Sequence, residues 1–135
     1  MRLRVVSSKS EISNININER MVHLGFMASS VDFLNIVQRC PSLRMIQVPS
    51  AYKKTTPYAI HVFLDMQGIE LLEGDVCGHR RDLDEYFTVD DATIEEIRSL
   101  AESGTNIEDV ASQIQKKARL GQDLIEYIAK TKATA

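Results

Sequence analysis

The fold is decided by a strand–helix–strand segment at residues 21–48, MVHLGFMASSVDFLNIVQRCPSLRMIQV. Short apolar runs at its two ends have the length and composition of β-strands. The stretch between them has apolar residues at helical spacing and a serine placed to cap a helix: Val31, Leu34 and Val37, with Ser29 or Ser30 as the cap. Because a helix between two strands favours a right-handed parallel crossover, this segment predicts a βαβ unit.

Two further strands flank this unit, at residues 2–6 and 69–73. The connection before the last strand, TTPYAIHVFLDMQG at residues 55–68, predicts a second helix with a marked start and stop: Thr56 as cap, Pro57 at the first helical position and Gly68 as the stop. The first connection is rich in Asn and predicts one short helical turn. The fold class is therefore α/β, with a small, mainly parallel sheet of three or four strands and right-handed βαβ crossovers, comparable to half of a Rossmann fold or to a leucine-rich-repeat unit.

The spacing of apolar residues in the C-terminal part of the sequence predicts helices. Residues 74–91 are too polar and irregular for a long regular element. Two apolar stripes follow, separated by Gly104, and residues 115–119 read as a continuation of the second helix. Residues near Leu120 and beyond either continue that helix or start a third, depending on whether Gly121 breaks it. The sequence thus predicts an α/β core at residues 1–90 and a C-terminal helical hairpin at residues 91–135 packed on the same domain.

Alternation along the strands separates two sheet faces. One face carries mostly apolar residues: Leu3, Val5, Val22, Leu24, Phe26, Ile46, Val48, Ile69 and Leu71. The other carries polar residues: Arg2, Arg4, His23, Arg44 and Glu70. We therefore expect the second face to be only partly covered, by the C-terminal helices.

The amino-acid composition is that of an ordinary globular protein. With 135 residues, 44% of them hydrophobic and 26% charged, the chain suits one domain with a packed core. No apolar run approaches the ~18 residues that span a bilayer, so no membrane partner is expected. Two cysteines are too few for a disulfide framework, which favours a reducing cytoplasm.

The charge distribution is uneven. Residues 1–74 carry eight Lys or Arg against six Asp or Glu, whereas residues 75–135 carry eight against thirteen. An acidic half argues against broad, nonspecific binding of nucleic acid, although a local basic patch remains compatible with it. Nucleic acid is therefore predicted to be an unlikely partner.

Three stretches carry a family resemblance: RLRVVSSKSEI near the start, FLNIVQRCPSLRMIQVP in the middle and GDVCGHRRDLDEYF after the fourth strand. Together they cover about a third of the chain. On these stretches the chain is similar to a family of short archaeal proteins of unknown function, found mainly in methanogens. The resemblance implies an archaeal cytoplasmic setting and no assigned chemistry.

Polar residues follow the strands where ligands bind in parallel α/β sheets, outside the carboxyl ends. The candidate ligand-binding residues are Ser7, Ser8, Lys9, Lys53, Lys54, Asp75, His79, Arg80 and Arg81. Hydroxyls, cations and helix N-termini suit a small molecule that bears a phosphate or carboxylate, although polar loops and plain helix caps explain the same residues. Neither GxGxxG nor GxxxxGK[ST] occurs, which disfavours a dinucleotide, and no cofactor is identified.

A denser cluster allows a catalytic alternative. Asp75, Cys77, His79 and Arg80 supply an orienting carboxylate, a thiol nucleophile, a general base and an oxyanion clamp. A hydrogen-bonded connector accounts for the same residues, and we favour it over catalysis. No zinc-type spacing of His and Cys occurs, so a structural metal is not expected.

Residues 94–128 give one indication of DNA binding. Two amphipathic helices around Gly104 resemble the first two helices of a helix-turn-helix, but the stretch after them lacks the turn and basic face of a recognition helix. A plain hairpin is the favoured reading. The leading interpretation is a noncatalytic protein that senses a small anion or associates with protein, including its own copies; an enzyme and a DNA-binding regulator are the alternatives.

Overall fold

The computed structural model describes residues 1–76, 85–118 and 120–131. Its sheet has five strands in the order β4-β3-β2-β1-β5. The strands are β1 (Arg2–Val6), β2 (Met21–Leu24), β3 (Met45–Val48), β4 (Glu70–Glu73) and β5 (Tyr86–Thr88). The first four are parallel to their neighbours, and β5 is antiparallel to β1. The predicted mixed α/β fold with a mostly parallel sheet is confirmed.

The fifth strand corrects the predicted strand count. β5 lies within the stretch that was read as irregular, and it pairs with β1 through Arg2, Leu3 and Arg4. A strand of three residues is too short to show alternation, so no two-residue period is detectable there.

Six α-helices and one 3-10 helix complete the described elements. They are the 3-10 helix Lys9–Asn14, α1 (Ser30–Arg39), α2 (Ser50–Thr55), α3 (Tyr58–Met66), α4 (Asp91–Glu102), α5 (Ile107–Gln115) and α6 (Gln122–Lys130). The predicted short turn in the first connection and the predicted helix before β3 are confirmed. Helix α1 begins with a capping box in which Ser29 Oγ accepts from the Asp32 N–H and the Asp32 carboxylate accepts from the Ser29 N–H.

The segment after β3 differs from its prediction. It forms α2, and α3 begins after Pro57 without a side-chain cap. Thr56 therefore does not cap α3; its hydroxyl donates to the carbonyl oxygen of Tyr52 at 2.9 Å and closes α2 instead. Gly68, with a φ of 73°, ends α3 as predicted.

Strand register corrects the predicted sheet faces. Arg4 is opposite Val22, so β1 presents Leu3 to the other face from Val22. The Val22 face packs against α1 and α3, whereas the Leu3 face packs against the C-terminal helices. Both faces are therefore covered, and Arg4 and His23, predicted on a partly exposed face, are 3% and 0% exposed. The prediction failed because alternation within one strand does not fix its register against the next.

The C-terminal part has three helices and not a hairpin. Helix α5 ends at Gln115, whose side-chain amide donates to the carbonyl oxygen of Leu120 at 3.1 Å, and α6 begins after Gly121. Residues 116–118 therefore do not continue α5 as predicted. The three helices pack on one another and bury their apolar stripes against the sheet, and α6 also contacts β4. This contact brings the start of α6 to the carboxyl end of the sheet.

Candidate functional site

The predicted ligand-binding residues fall into two separate places. Ser7, Ser8 and Lys9 follow β1, whereas Lys53 and Asp75 lie near the carboxyl ends of β3 and β4. Two strands lie between β1 and β4, and at ~4.8 Å per strand spacing the two groups are roughly 14 Å apart across the sheet. The described residues thus do not gather into a single anion site.

At the end of β1 the polar groups contact carboxylates of their own segment or of α1. The Ser7 N–H donates to the Glu11 carboxylate at 2.7 Å, and the Ser8 hydroxyl donates to the same carboxylate at 3.2 Å. Lys9 Nζ lies 3.6 Å from the buried carboxylate of Asp32. These contacts hold the 3-10 helix against α1, which is a structural role.

At the end of β4 the structure has a cavity of about 570 Å³. One wall is the end of β4, and the other is the turn between α5 and α6. The lining residues that matter here are Ser50, Glu73, Gly74, Asp75, Gly121 and Asp123. The cavity therefore lies where the C-terminal helices meet the α/β sheet.

Asp123 links the two walls of this cavity. Its carboxylate accepts from the Glu73 N–H at 2.9 Å and lies 3.6 Å from Lys53 Nζ. Lys53, predicted to bind an anion, is thus paired with a carboxylate, while Lys54 is exposed on α2. Glu73 and Asp75 also line the cavity, so three acidic residues lie around it beside one ammonium group. Its described lining is acidic.

A buried polar pair lies behind the cavity wall and was missed by the sequence reasoning. Gln47 and His23 are 1% and 0% exposed, and Gln47 Nε2 lies 2.9 Å from His23 Nδ1. The other amide atom, Gln47 Oε1, accepts no hydrogen bond from any part of the chain that the structure describes. A β-carbon on Gly74 would lie 2.9 Å from this oxygen, so the Gln47 amide packs against the glycine and leaves no room for a side chain there. The sequence signal for this pair is the amide of Gln47 inside an otherwise apolar strand. A buried amide needs a hydrogen-bond partner, so such a residue predicts a polar neighbour within the core.

The remaining candidate residues lie outside the described residues. These are Cys77, His79, Arg80 and Arg81. Asp75 is the one described member of the catalytic alternative, and it is exposed on the cavity wall. Within residues 1–76, 85–118 and 120–131, no group of three or more His, Cys, Asp or Glu is placed to hold a metal ion. None of the helices in these ranges is long and apolar enough to cross a membrane.

The three C-terminal helices have the layout of a second candidate site. Residues 103–106 form the turn between α4 and α5, with Gly104 at a φ of 87°, and the Asn106 side chain caps α5 by accepting from the Asp109 N–H. Helix α6 buries its apolar side: Leu124, Ile125, Tyr127 and Ile128. Its exposed side is a polar stripe at four-residue spacing, formed by Gln122, Glu126 and Lys130. Within this stripe the Lys130 ammonium contacts the Glu70 carboxylate of β4.

Two family models match the chain. One, described as a family of unknown function (DUF1699) N-terminal domain, matches residues 2–85. The other, described as a protein of unknown function (DUF1699) C-terminal HTH domain, matches residues 92–130, where HTH stands for helix-turn-helix. The chain belongs to the DUF1699 family. The predicted similarity to a family of unknown function is confirmed at this level, and searches of curated proteins and of solved structures give no match.

The DUF1699 description overturns one prediction. Nucleic acid was predicted to be an unlikely partner, and the helix-turn-helix description of residues 92–130 contradicts this. The prediction relied on net charge and on the reading of residues 115–119 as continuous helix. The chain turns at residues 116–118, and a third helix, α6, follows, so the turn that this reading lacked is present.

Proposed function

We propose that this DUF1699 protein binds double-stranded DNA through its C-terminal three-helix unit, as a regulator of the kind that helix-turn-helix proteins represent. One observation carries the proposal: the helix-turn-helix family model covers residues 92–130, the segment that contains α4, α5 and α6. In such units the last helix of the motif enters the major groove, and that position corresponds to α6.

The exposed stripe of α6 is the surface that we assign to the groove. Gln122 has the amide that pairs with adenine, and Lys130, whose ammonium contacts the Glu70 carboxylate in the unbound protein, would exchange this partner for guanine or phosphate. Lys116, exposed in the turn before α6, lies in the place of a phosphate contact. Residues 92–130 carry seven Asp or Glu against five Lys or Arg, so binding must depend on few cations. We therefore expect modest affinity that falls steeply with salt.

Fluorescence anisotropy with a labelled duplex of mixed sequence tests the proposal at several salt concentrations. We expect Lys116→Ala and Lys130→Ala each to weaken binding and each to reduce the slope of log affinity against log salt by about 1. Lys9→Ala is the matched control, because Lys9 contacts Asp32 of α1, and α1 covers the sheet face opposite the C-terminal helices. Absence of duplex binding at low salt, or an equal loss in the Lys9 variant, refutes the proposal.

Self-association is a second candidate, supported by an apolar stripe on α3. Tyr58, Val62 and Met66 recur at four-residue spacing, and Tyr58 and Met66 are 81% and 78% exposed. Many helix-turn-helix proteins bind two half-sites as dimers, and a second copy would cover such a stripe. Sedimentation analysis of Met66→Glu, with Ile17→Glu at another exposed apolar residue as control, tests this. A wild-type protein that is monomeric at all concentrations contradicts it.

Two sequence predictions are carried forward as proposals. One is the archaeal cytoplasmic setting that the family resemblance implies. The other is noncatalytic sensing of a phosphate or carboxylate by the strand-end set, with the catalytic alternative around Asp75, Cys77, His79 and Arg80 beside it. Thermal stabilisation by inorganic phosphate that Arg80→Ala abolishes would support the anion proposal, and no stabilisation by phosphate would refute it.

A further inference from the structure

We propose that Arg20 and Arg44 form a phosphate-binding site at the amino ends of β2 and β3. The phosphate belongs to the DNA backbone or to a free phosphate ester, and only the first source rests on the proposed DNA binding. The site lies at the opposite end of the parallel strands from the predicted strand-end set. It is inferred from the placement of two arginines, from their lack of counter-ions and from the cavity beside them.

The two arginines lie side by side on neighbouring strands. The Arg44 N–H donates to the carbonyl oxygen of Arg20 at 2.8 Å, and the next residues, Met21 and Met45, are partners in the parallel β2–β3 ladder. Because neighbouring strands are ~4.8 Å apart, two exposed guanidinium groups start from adjacent positions. Like charges at this spacing repel each other, and an anion between them relieves the repulsion.

Neither guanidinium has a counter-ion within the protein. No hydrogen bond or ion pair to the side chain of Arg20 or Arg44 occurs among the residues that the structure describes. Glu19, next to Arg20 in the chain, instead accepts the Tyr86 hydroxyl at 2.6 Å. A guanidinium presents its N–H donors in a planar fork that matches two oxygens of one phosphate. Two such forks suit a group with several charged oxygens, which favours phosphate over a carboxylate.

A cavity of about 490 Å³ adjoins the arginine pair. Its lining includes Arg20, Arg44, Gly68, Glu70 and Tyr127. Space is open at Gly68, since a β-carbon there would meet no atom within 4 Å. Glu70, the acidic residue of the lining, is paired with the Lys130 ammonium. The cavity therefore has two guanidinium charges that no carboxylate of the described residues neutralises.

Tyr127 of α6 adds a neutral donor to this cavity. Burial and the Glu70 carboxylate raise the pKa of its hydroxyl above the ordinary value of 10.0, and Arg44 opposes them, so these groups lie near one another. The hydroxyl is thus protonated at neutral pH and can donate to an anion. Tyr127 and Lys130 also place the site at the C-terminal end of α6, the helix that we assign to the DNA groove. A backbone phosphate beside that groove is therefore within the reach of this surface.

Two titrations test the site, one for each source of phosphate. Fluorescence anisotropy with the mixed-sequence duplex reports on DNA, and isothermal titration calorimetry with inorganic pyrophosphate reports on a free phosphate. We expect Arg20→Gln and Arg44→Gln each to weaken the binding that wild type shows about tenfold, because each loses a charge-assisted contact. For the duplex, each should also reduce the slope of log affinity against log salt by about 1.

Lys54→Gln is the matched control. It removes one exposed cation on α2, at the carboxyl end of β3, and should leave both titrations unchanged. A second measurement, the free energy of unfolding in urea, separates binding from support of the fold. Since two like charges do not stabilise each other, neither arginine variant should be less stable than wild type. A lowered stability would assign the pair a structural role and overturn the proposal.

The outcomes distinguish this site from the proposed function. Absence of duplex binding by wild type, together with pyrophosphate binding that Arg44→Gln weakens, refutes DNA binding and assigns the site to a free phosphate ester. Duplex binding that both arginine variants leave unchanged, without pyrophosphate binding, overturns the site and leaves the DNA proposal in place. Unchanged affinities in both titrations, an equal loss in Lys54→Gln, or no binding in either titration also overturns the site.

Discussion

The backbones of Gly74 and Gly121 meet so closely that a β-carbon on Gly121 would lie 3.2 Å from the Cα of Gly74 and 3.3 Å from the carbonyl oxygen of Glu73. Gly121 has a φ of −67°, so its backbone conformation is open to any residue. The position demands glycine because of this contact and not because of its torsion. The start of α6 is thus pressed against the end of β4, where both sides of the contact are backbone.

Gly121→Ala should therefore destabilise the protein. Replacing glycine gains ~0.4 to 1 kcal/mol by restricting the unfolded chain, but overpacking against backbone costs ~1 to 3 kcal/mol. We expect a net loss of about 1 kcal/mol in the free energy of unfolding, measured by urea denaturation. Gln122→Ala, next to it and exposed, should change this free energy by less than ~0.5 kcal/mol. An unchanged or raised stability of Gly121→Ala would contradict the close contact.

Asp123→Ala should loosen the same junction by another route. The substitution leaves the Glu73 N–H of an edge strand without its acceptor, and a lost hydrogen bond of this kind costs ~1 to 2 kcal/mol. The contact with Lys53 is about a third exposed, so a double-mutant cycle with Lys53→Ala should give a coupling below ~1 kcal/mol. Amide exchange at Glu73 should accelerate in Asp123→Ala and stay slow in Lys53→Ala. Equal exchange in both variants would show that Asp123 does not protect this edge.

Elements with local signals were predictable from the sequence. Strand β1 has the predicted bounds, and α1 begins at a Ser29 capping box that is visible in the sequence as serine followed by Asp32 three residues later. The stop of α3 at Gly68 follows from the low cost of a positive φ at glycine. Each of these signals lies within a few residues of the element that it specifies, so no tertiary contact was needed to read it.

Features set by contacts between distant residues were not predictable. The register of Arg4 opposite Val22 decides which side of β1 faces α1, and nothing within β1 reveals it. The end of α5 at Gln115 lies in a sequence with good helix formers, and the chain leaves the helix because Gly121 docks on Gly74. The cavity depends on the same docking, and the Gln47–His23 pair depends on the register of β3 against β2. Asp75 follows β4 as expected from the strand order, but nothing in the sequence indicates that α6 brings Asp123 to the same cavity.

Alkaline pH should destabilise the protein through Tyr86. Its hydroxyl donates to the Glu19 carboxylate at 2.6 Å, and this hydrogen bond, with burial adding to it, raises the pKa of Tyr86 above its ordinary value of 10.0. Since the folded pKa lies above the unfolded one, the stabilisation is complete below pH ~10 and is lost as pH rises through the folded pKa. Burial also raises the pKa of Tyr127, which acts in the same direction.

The measurement is the free energy of unfolding against pH in the alkaline range. We expect Tyr86→Phe to be less stable than wild type near neutral pH and to lose less stability above pH ~10. Tyr58→Phe is the control, because Tyr58 is exposed on α3. A Tyr86→Phe curve parallel to that of wild type at all pH values would show that Glu19 does not hold the Tyr86 proton.

The Cys40 thiol should be unreactive in the folded protein. Cys40 is 1% exposed, its Sγ donates to the carbonyl oxygen of Asn16 at 3.5 Å, and burial raises the pKa of the thiol above its ordinary value. Because the thiolate is the nucleophile, burial and a raised pKa both suppress its reaction with a disulfide reagent. In the Cys77→Ser variant, which leaves Cys40 as the sole thiol, we expect labelling at neutral pH to be more than ~100-fold slower than in urea. The labelling rate should rise with any variant that destabilises the fold, Gly121→Ala included, since labelling requires opening of the α1 layer. Rapid labelling of the native Cys77→Ser protein would show that α1 does not shield this thiol.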